Sequence, residues 1–283
     1  MRKLMTKGRT MAGLSPTGTL AIEAAQLEYR FIGPQPDVAP TLVLLHEGLG
    51  SAALWGEFPD RLAAMTGAGV FAYSRAGYGR STPASLPRLP DYMHREALQV
   101  LPQVLDRIGF RRGLLVGHSD GASIAALYAG GVADHRIRGV SLIAPHFIVE
   151  DISVASIAAI RTTYETTELR AKLARWHDDV DNAFYGWNDA WLDPAFRAWD
   201  IADSLAYIRV PLQIVQGETD QYGTMRQIEI ARSECYCPLE VELLAGAGHS
   251  PHREAADATL RLVAGFADRI LNGHAEASDG RAA

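Results

Sequence analysis

Five consecutive residues, Gly117-His118-Ser119-Asp120-Gly121, set a hydroxyl between two glycines, directly after the apolar run Leu114–Val116 and directly before the small-residue stretch ASIAALYA. A serine at so tight a strand-to-helix turn needs glycine on both sides, because there is no room for flanking side chains. The turn holds Ser119 at the carboxyl edge of a sheet, beside a helix N-terminus whose dipole favours developing negative charge. A serine hydroxyl is a weak nucleophile at neutral pH; it needs a base, and the base needs an orienting carboxylate. Two other glycine-containing turns offer both. Gln216-Gly217-Glu218-Thr219-Asp220 follows the apolar run Leu212–Val215, and Ala245-Gly246-Ala247-Gly248-His249 follows Leu239–Leu244. Asp220 lies beyond its strand end, whereas Glu218 suits contacts within the turn. Gly246 and Gly248 let His249 reach back toward Ser119, whereas His252 follows Pro251 and reads as the start of the next helix. The expected chemistry is attack by Ser119, with His249 as base and Asp220 orienting it.

Attack on a carbonyl leaves charge on its oxygen, which backbone N–H groups must hold. The residue after such a serine offers one, here Asp120. Its own carboxyl stands one position past the nucleophile, so displacement chemistry by an elbow aspartate is not expected. The second donor is expected from His46-Glu47-Gly48-Leu49-Gly50-Ser51, which follows the run Thr41–Leu45; Leu49 is the first choice and Gly48 the alternative. His118 reads as structural, because neighbours on a tight turn point apart. His146 and Phe147 follow the run Gly139–Ile143 and, with Tyr222, are expected at the pocket wall on the same edge.

Bringing these groups to one edge demands a particular frame. Apolar runs at Thr41–Leu45, Val70–Tyr73, Gly113–Val116, Gly139–Ile143, Leu212–Val215 and Leu239–Leu244 read as six buried strands. Between or after them, Leu54–Met65, Tyr92–Ile108, Ala122–Ala129, Thr224–Arg232 and Ala255–Ile270 carry helical spacing. The alternation predicts a doubly wound α/β fold with a mostly parallel sheet. Thr19–Glu23 and Gln26–Phe31, with no helix between them, predict an antiparallel edge hairpin. One stretch breaks the pattern. Trp176 to Trp199 holds seven aromatic residues in 24, where the 8% average predicts about two. Residues 147–204 therefore read as a helical insertion after the fourth strand, dividing the core into 1–146 and 205–283. At least half of its rings are expected to pack on each other; Trp187, Trp191 and Trp199 are the candidates to face a pocket as parts of a lid.

Composition narrows the function classes. The chain has 283 residues, 48% hydrophobic and 21% charged, which suits one large core. A net charge of −6 leaves no basic footprint for nucleic acid. The longest apolar stretches, such as Val140 to Ala144, are strand-sized, far short of the ~20 residues of a membrane-spanning helix. MRKLMTKGRTM at the start is basic but lacks the apolar run of a secretory signal, so it reads as a disordered arm and the expected location is cytoplasmic. Cys235 and Cys237 have no partner cluster for a metal and no loop to close, and read as plain thiols.

Four landmarks occur in order from Thr41 to Ile270: the HEGLGS loop, the segment Tyr73-Ser74-Arg75-Ala76-Gly77-Tyr78-Gly79-Arg80-Ser81, the glycine-flanked serine, and the Asp220 and His249 turns. With them the chain resembles the α/β-hydrolase superfamily, specifically its lid-bearing bacterial serine hydrolases, whose carboxylate and histidine follow the serine in this order. The resemblance implies a Ser119-Asp220-His249 triad, an oxyanion hole, a helical lid and no cofactor or metal. The loop departs from the usual His-Gly start, since Glu47 stands between His46 and Gly48. Arg75 is expected to anchor its loop through hydrogen bonds. The activity so implied is hydrolysis of a small ester with a hydrophobic or aromatic part. Hydrolysis of a carbon–carbon bond in ring-cleavage products, of a thioester, or ligand holding by a receptor on the same fold remain alternatives. The expected partner is a small-molecule substrate, with the chain a monomer or homodimer.

Overall fold

Val, Leu, Ile and Phe dominate the central strands, which are covered on both faces and so have no polar side to show. In the computed structural model, which describes residues 13–23 and 25–273, eight strands form one sheet: β1 (Thr17–Ile22), β2 (Ala25–Ile32), β3 (Thr41–Leu45), β4 (Gly69–Tyr73), β5 (Gly113–His118), β6 (Ile137–Ile143), β7 (Leu212–Gly217) and β8 (Leu239–Leu244). Their spatial order is β1-β2-β4-β3-β5-β6-β7-β8. From β3 onward all pairings are parallel, while β1 and β2 form the antiparallel edge hairpin and β2 joins β4 antiparallel. The N-terminal arm expected over residues 1–11 lies outside the described residues.

The helices are α1 (Phe58–Thr66), α2 (Tyr92–Arg95), α3 (Leu101–Arg107), α4 (Asp120–Gly131), α5 (Asp151–Thr166), α6 (Leu169–Leu173), α7 (Val180–Leu192), α8 (Ala202–Leu205), α9 (Met225–Glu234), α10 (Pro251–Glu254) and α11 (Ala256–Asn272). Two expectations need correction. The single helix over Tyr92–Ile108 is broken by a wide π-turn at Glu96–Val100; it falls just before Pro102, which has no N–H to donate and whose ring crowds the preceding turn. β8 is not a buried strand but the half-exposed sheet edge, its Leu243 turned out to solvent.

Two apolar layers sandwich the sheet, one under α2, α3 and α4 and continuing into the insertion, the other under α1 and α11. The insertion between β6 and β7 carries α5 to α8. Its entry and exit pair with each other: Ile201 N–H donates to Phe147 O at 2.8 Å and Ile148 bridges Asp200. α7 starts at Asp179, whose carboxylate accepts from Asn182 N at 3.0 Å. Asn182 then clamps the insertion to the core through both its side-chain atoms, each 2.9 Å from the Ala84 backbone. Tyr164 and Phe184 stack at 3.6 Å between centroids, giving the insertion a small core of its own.

What fixes the site is how closely α4 passes under β5 and β3. A Cβ on Gly117 would stand 2.3 Å from Gly121 O, and one on Gly121 would stand 2.0 Å from Leu45 O. Neither neighbour is a side chain that can swing away. Gly265 in α11 faces nothing closer than Arg269 Nη1 at 3.6 Å. Gly121→Ala is therefore expected to cost ~3 kcal/mol or more, through overpacking against backbone. Gly265→Ala should add ~0.5–1 kcal/mol by helix propensity. Urea unfolding of the two variants checks this, and equal midpoints would refute the close-approach argument.

Candidate active site

Ser119 joins β5 to α4 with φ 53 and ψ −118, a left-handed backbone that a non-glycine residue adopts only when its surroundings over-determine it. Its N–H donates to Ile143 O at 2.9 Å, and its carbonyl takes the first helical bonds from Ala122 and Ser123. The side chain is thereby aimed out of the turn. Ser119 Oγ lies 2.9 Å from His249 Nε2, and His249 Nδ1 lies 2.8 and 2.9 Å from the two Asp220 oxygens. A carboxylate can only accept, so the hydrogen sits on Nδ1 and Nε2 is free to take the serine proton.

Asp220 is held from three further directions: Tyr222 N at 2.7 Å and Gly223 N at 3.2 Å donate to Oδ1, and Gln216 Nε2 at 2.8 Å donates to Oδ2. Burial alone would raise its pKa, but the hydrogen bond and charge of His249, with the Tyr222 N–H, hold it below the ordinary carboxylate value. The His249 loop is clamped by Glu254, which accepts from Gly248 N at 2.6 Å and Ser250 N at 2.9 Å. His252 stands apart. Its ring packs on Trp55 and Phe58, with centroids 5.1 and 6.1 Å away, and burial pushes its pKa well down.

The first helical turn leaves the Asp120 N–H without an intrahelical partner. Its carboxylate is buried and accepts from Tyr92 Oη at 2.6 Å and Trp191 Nε1 at 3.2 Å, with Arg75 Nη2 at 3.9 Å. Arg75 also donates to the carbonyls of His46 and Glu47, and its N–H reaches His46 Nε2 at 3.0 Å, so it anchors the facing loop through its backbone. Leu49 in that loop is fixed from the insertion: His177 Nε2 donates to its carbonyl at 3.2 Å, while His177 Nδ1 accepts from Gly79 N at 2.9 Å. His177 was not singled out from the sequence. Nothing local marks it, since its two partners lie far away along the chain.

A cavity of about 260 Å³ opens over Ser119, and Leu49, Gly48 and Asp120 line its floor. Of the residues expected at its wall, His146, Trp187, Trp191 and Tyr222 are there. Phe147 and Trp199 are not. Both rings sit at the neck of the insertion, where its entry and exit pair; Phe147 is fully buried in the core and Trp199 stacks on Phe196 at 5.3 Å. Trp187 presses its indole on Gly48, where a Cβ would fall 2.0 Å from Nε1. His146 packs edge-on against Trp191 at 5.1 Å, and burial, aided by the His249 charge, lowers its pKa to about 3, so it stays neutral. Glu47, His118, His249, Ile157, Gln221, Ser250 and Arg253 complete the lining, and nothing in the sequence pointed to Ile157, Gln221, Ser250 or Arg253. Among the described residues no group of three His, Cys, Asp or Glu side chains is placed to hold a metal ion. Among them, too, no helix is long and apolar enough to cross a membrane.

Known proteins share this frame. A solved proline iminopeptidase from Mycobacterium smegmatis superposes with a TM-score of 0.71 at 17% identity, over 92% of this chain and all of that one. The enol-lactonase from Burkholderia xenovorans LB400 does so at 0.68 and 20% identity, over 88% of this chain and 99% of that one. By sequence, a proline iminopeptidase from Lactobacillus helveticus is 29% identical over 124 residues, 44% of this chain and 40% of that relative, so the chain matches well under half the length of such curated relatives. The sequence profile of the alpha/beta hydrolase family matches residues 42–262, most of the chain; the protein belongs to that family.

Proposed function

We propose that the chain is a serine hydrolase, independent of any cofactor, that cleaves a small ester with a hydrophobic or aromatic part. The observation that carries this reading is the hydrogen-bonded line from Ser119 Oγ through His249 to Asp220. In the first step Ser119 Oγ bonds to the ester carbonyl carbon while its proton passes to His249 Nε2, and the carbonyl electron pair moves onto oxygen. The N–H groups of Leu49 and Asp120 hold that oxyanion. Collapse expels the alcohol, which takes the proton back from His249 and leaves an acyl-serine. Water then repeats the sequence and frees the acid.

A cavity of about 260 Å³ is small beside the ~300–1,000 Å³ of pockets for drug-sized ligands, which supports a small substrate. Its apolar side, made by Leu49, Ile157, Trp187, Trp191 and Tyr222, suits a hydrophobic or aromatic group. The relatives named for peptidase and lactonase activity share acyl transfer as a reaction class. An aminopeptidase must hold a charged terminal amine. The lining carboxylates here, Asp120 and Glu47, are both engaged by protein donors, which favours the ester reading.

Labelling of Ser119 by a fluorophosphonate probe, together with turnover of p-nitrophenyl esters, tests the reading. Ser119→Ala should abolish labelling, and Ser119→Ala or His249→Ala should each lower kcat by about 10,000-fold or more without unfolding the protein. Asp220→Asn should lower kcat by a similar factor, because the imidazole would adopt the wrong tautomer. His252→Ala should lower the melting temperature and cost far less in kcat than His249→Ala. Hydrolysis that survives His249→Ala would sink the assignment of the base.

Trp187 and Trp199 separate lining from packing. Trp187→Ala should reorder a series of esters graded by acyl size, mainly through kcat/KM, while Ser119 still labels. Trp199→Ala should leave the order unchanged and cost ~3–5 kcal/mol of stability. If Trp187→Ala left the order untouched, the insertion would have no part in selecting substrate.

A further inference from the structure

His118, the residue before Ser119, is buried and not consumed by the triad. Its Nε2 lies 2.8 Å from the backbone carbonyl of His249. A carbonyl only accepts, so Nε2 carries the hydrogen. On the far side of the ring, Nδ1 faces Glu47 Oε2 at 3.4 Å. Glu47 Oε1 in turn accepts from Arg253 Nη2 at 3.1 Å, and Arg253 also reaches Leu54 O at 2.9 Å. The 3.4 Å approach of Nδ1 to Glu47 is a close contact and not an aligned hydrogen bond. Burial by itself would raise the Glu47 pKa, but the nearness of His118, with Arg253 and His252, more than offsets it and holds the pKa well below the ordinary carboxylate value. The loop is shaped for this side chain, since a Cβ on Gly50 would fall 2.3 Å from Glu47 Oε2. Rings close the remaining sides of His118, with His252 at 4.5 Å, His249 at 5.3 Å and Trp55 at 6.5 Å between centroids.

The peptide of His249 is thus gripped at both ends. Gln221 Oε1 accepts from its N–H at 3.3 Å and His118 donates to its carbonyl. We propose that Glu47 and His118 form a positioning relay behind the triad, in which the carboxylate fixes the His118 ring and His118 fixes the His249 backbone. Both residues border the cavity beside the triad, but neither is hydrogen-bonded to Ser119 Oγ or to His249 Nε2. The relay sets where His249 Nε2 stands relative to Ser119 Oγ, and it joins the base loop to the loop that carries Gly48 and Leu49. A misplacement of ~1 Å at such a pair costs about a hundredfold in rate. The proposal rests on the hydrolase reading for its kinetic consequence, though not for its geometry.

The test compares His118→Ala, Glu47→Ala, Glu47→Gln and the double Glu47→Ala/His118→Ala variant, each checked by thermal melting. On p-nitrophenyl acetate, His118→Ala should lower kcat by about tenfold to a hundredfold with KM little changed. Glu47→Ala should fall the same way. Because Glu47 acts through His118, the double variant should match His118→Ala within about twofold. Glu47→Gln, which keeps the length and shape of the side chain and can donate to Nδ1, should recover most of the rate. A full additive loss in the double variant, or normal kcat in His118→Ala, overturns the relay. If His118→Ala does not fold, Glu47→Ala against Glu47→Gln decides alone: equal losses overturn it. A second readout needs no turnover. The far-downfield proton resonance of the His249 Nδ1–H facing Asp220 should be present in the unmodified protein and Glu47→Gln, and broadened in His118→Ala. An unbroadened signal there overturns the relay, even if the protein neither labels nor hydrolyses any ester and the hydrolase reading falls by itself.

Discussion

The left-handed turn at Ser119 is the constraint from which the rest of this molecule follows. A non-glycine residue there costs ~1–3 kcal/mol that the surroundings must supply. They do so by close approach: α4 runs so near β5 and β3 that Gly117 and Gly121 have no space for a methyl group. The same helix is tied to the end of β6, where Ser123 Oγ donates to His146 O at 2.6 Å. Ala144, also at positive φ, has its N–H bonded to Val215 O at 3.0 Å, so the strain is shared between adjacent strand ends. A serine aimed into the cavity from a sheet edge is thus the product of backbone packing, and the side-chain chemistry is added afterwards.

Charge burial is the second layer of control. Arg75 and Asp120 are both fully enclosed, and burial raises the Asp120 pKa against the opposing pull of Arg75, Tyr92 and Trp191. At 3.9 Å the ion pair itself is loose, so the carboxylate depends on the phenol and the indole to satisfy it. Removing one member of such a set leaves an uncompensated charge, which costs far more than the set contributes over an apolar core. The arrangement therefore specifies geometry. It holds the elbow, the backbone of the His46–Glu47 loop and α7 in one register.

Much of this was legible in the sequence because it rests on local signals. Short apolar runs and period-3.6 patterns fall on the strands and helices, and glycine-bounded strand ends point to Ser119, Asp220 and His249, which the fold brings into hydrogen-bond contact. The residues and strand that the fold places elsewhere share a physical cause. Phe147 and Trp199 have the composition of pocket residues, but their positions are decided by the pairing of Ile148 with Asp200, which no window of sequence displays. β8 has the apolar content of a central strand, and only the spatial order makes it an edge. Glu47, His118, His177 and Arg253 act through partners on other elements, so their types carry no sign of their neighbours.

Trp191 shows why the insertion and the chemistry cannot be treated separately. The ring that lines the cavity also donates to the carboxylate of Asp120, itself a residue of the same lining. Trp187 presses on Gly48, and His177 holds the Leu49 carbonyl. Three side chains of one insertion thus hold the Gly48–Leu49 loop and Asp120, and two of them, Trp187 and Trp191, also line the cavity. A displacement of the insertion from the core would break the Trp191–Asp120 and His177–Leu49 contacts together. The cavity wall and the backbone beside Ser119 are therefore held by the same contacts, so the insertion and the core of the site form one packed unit.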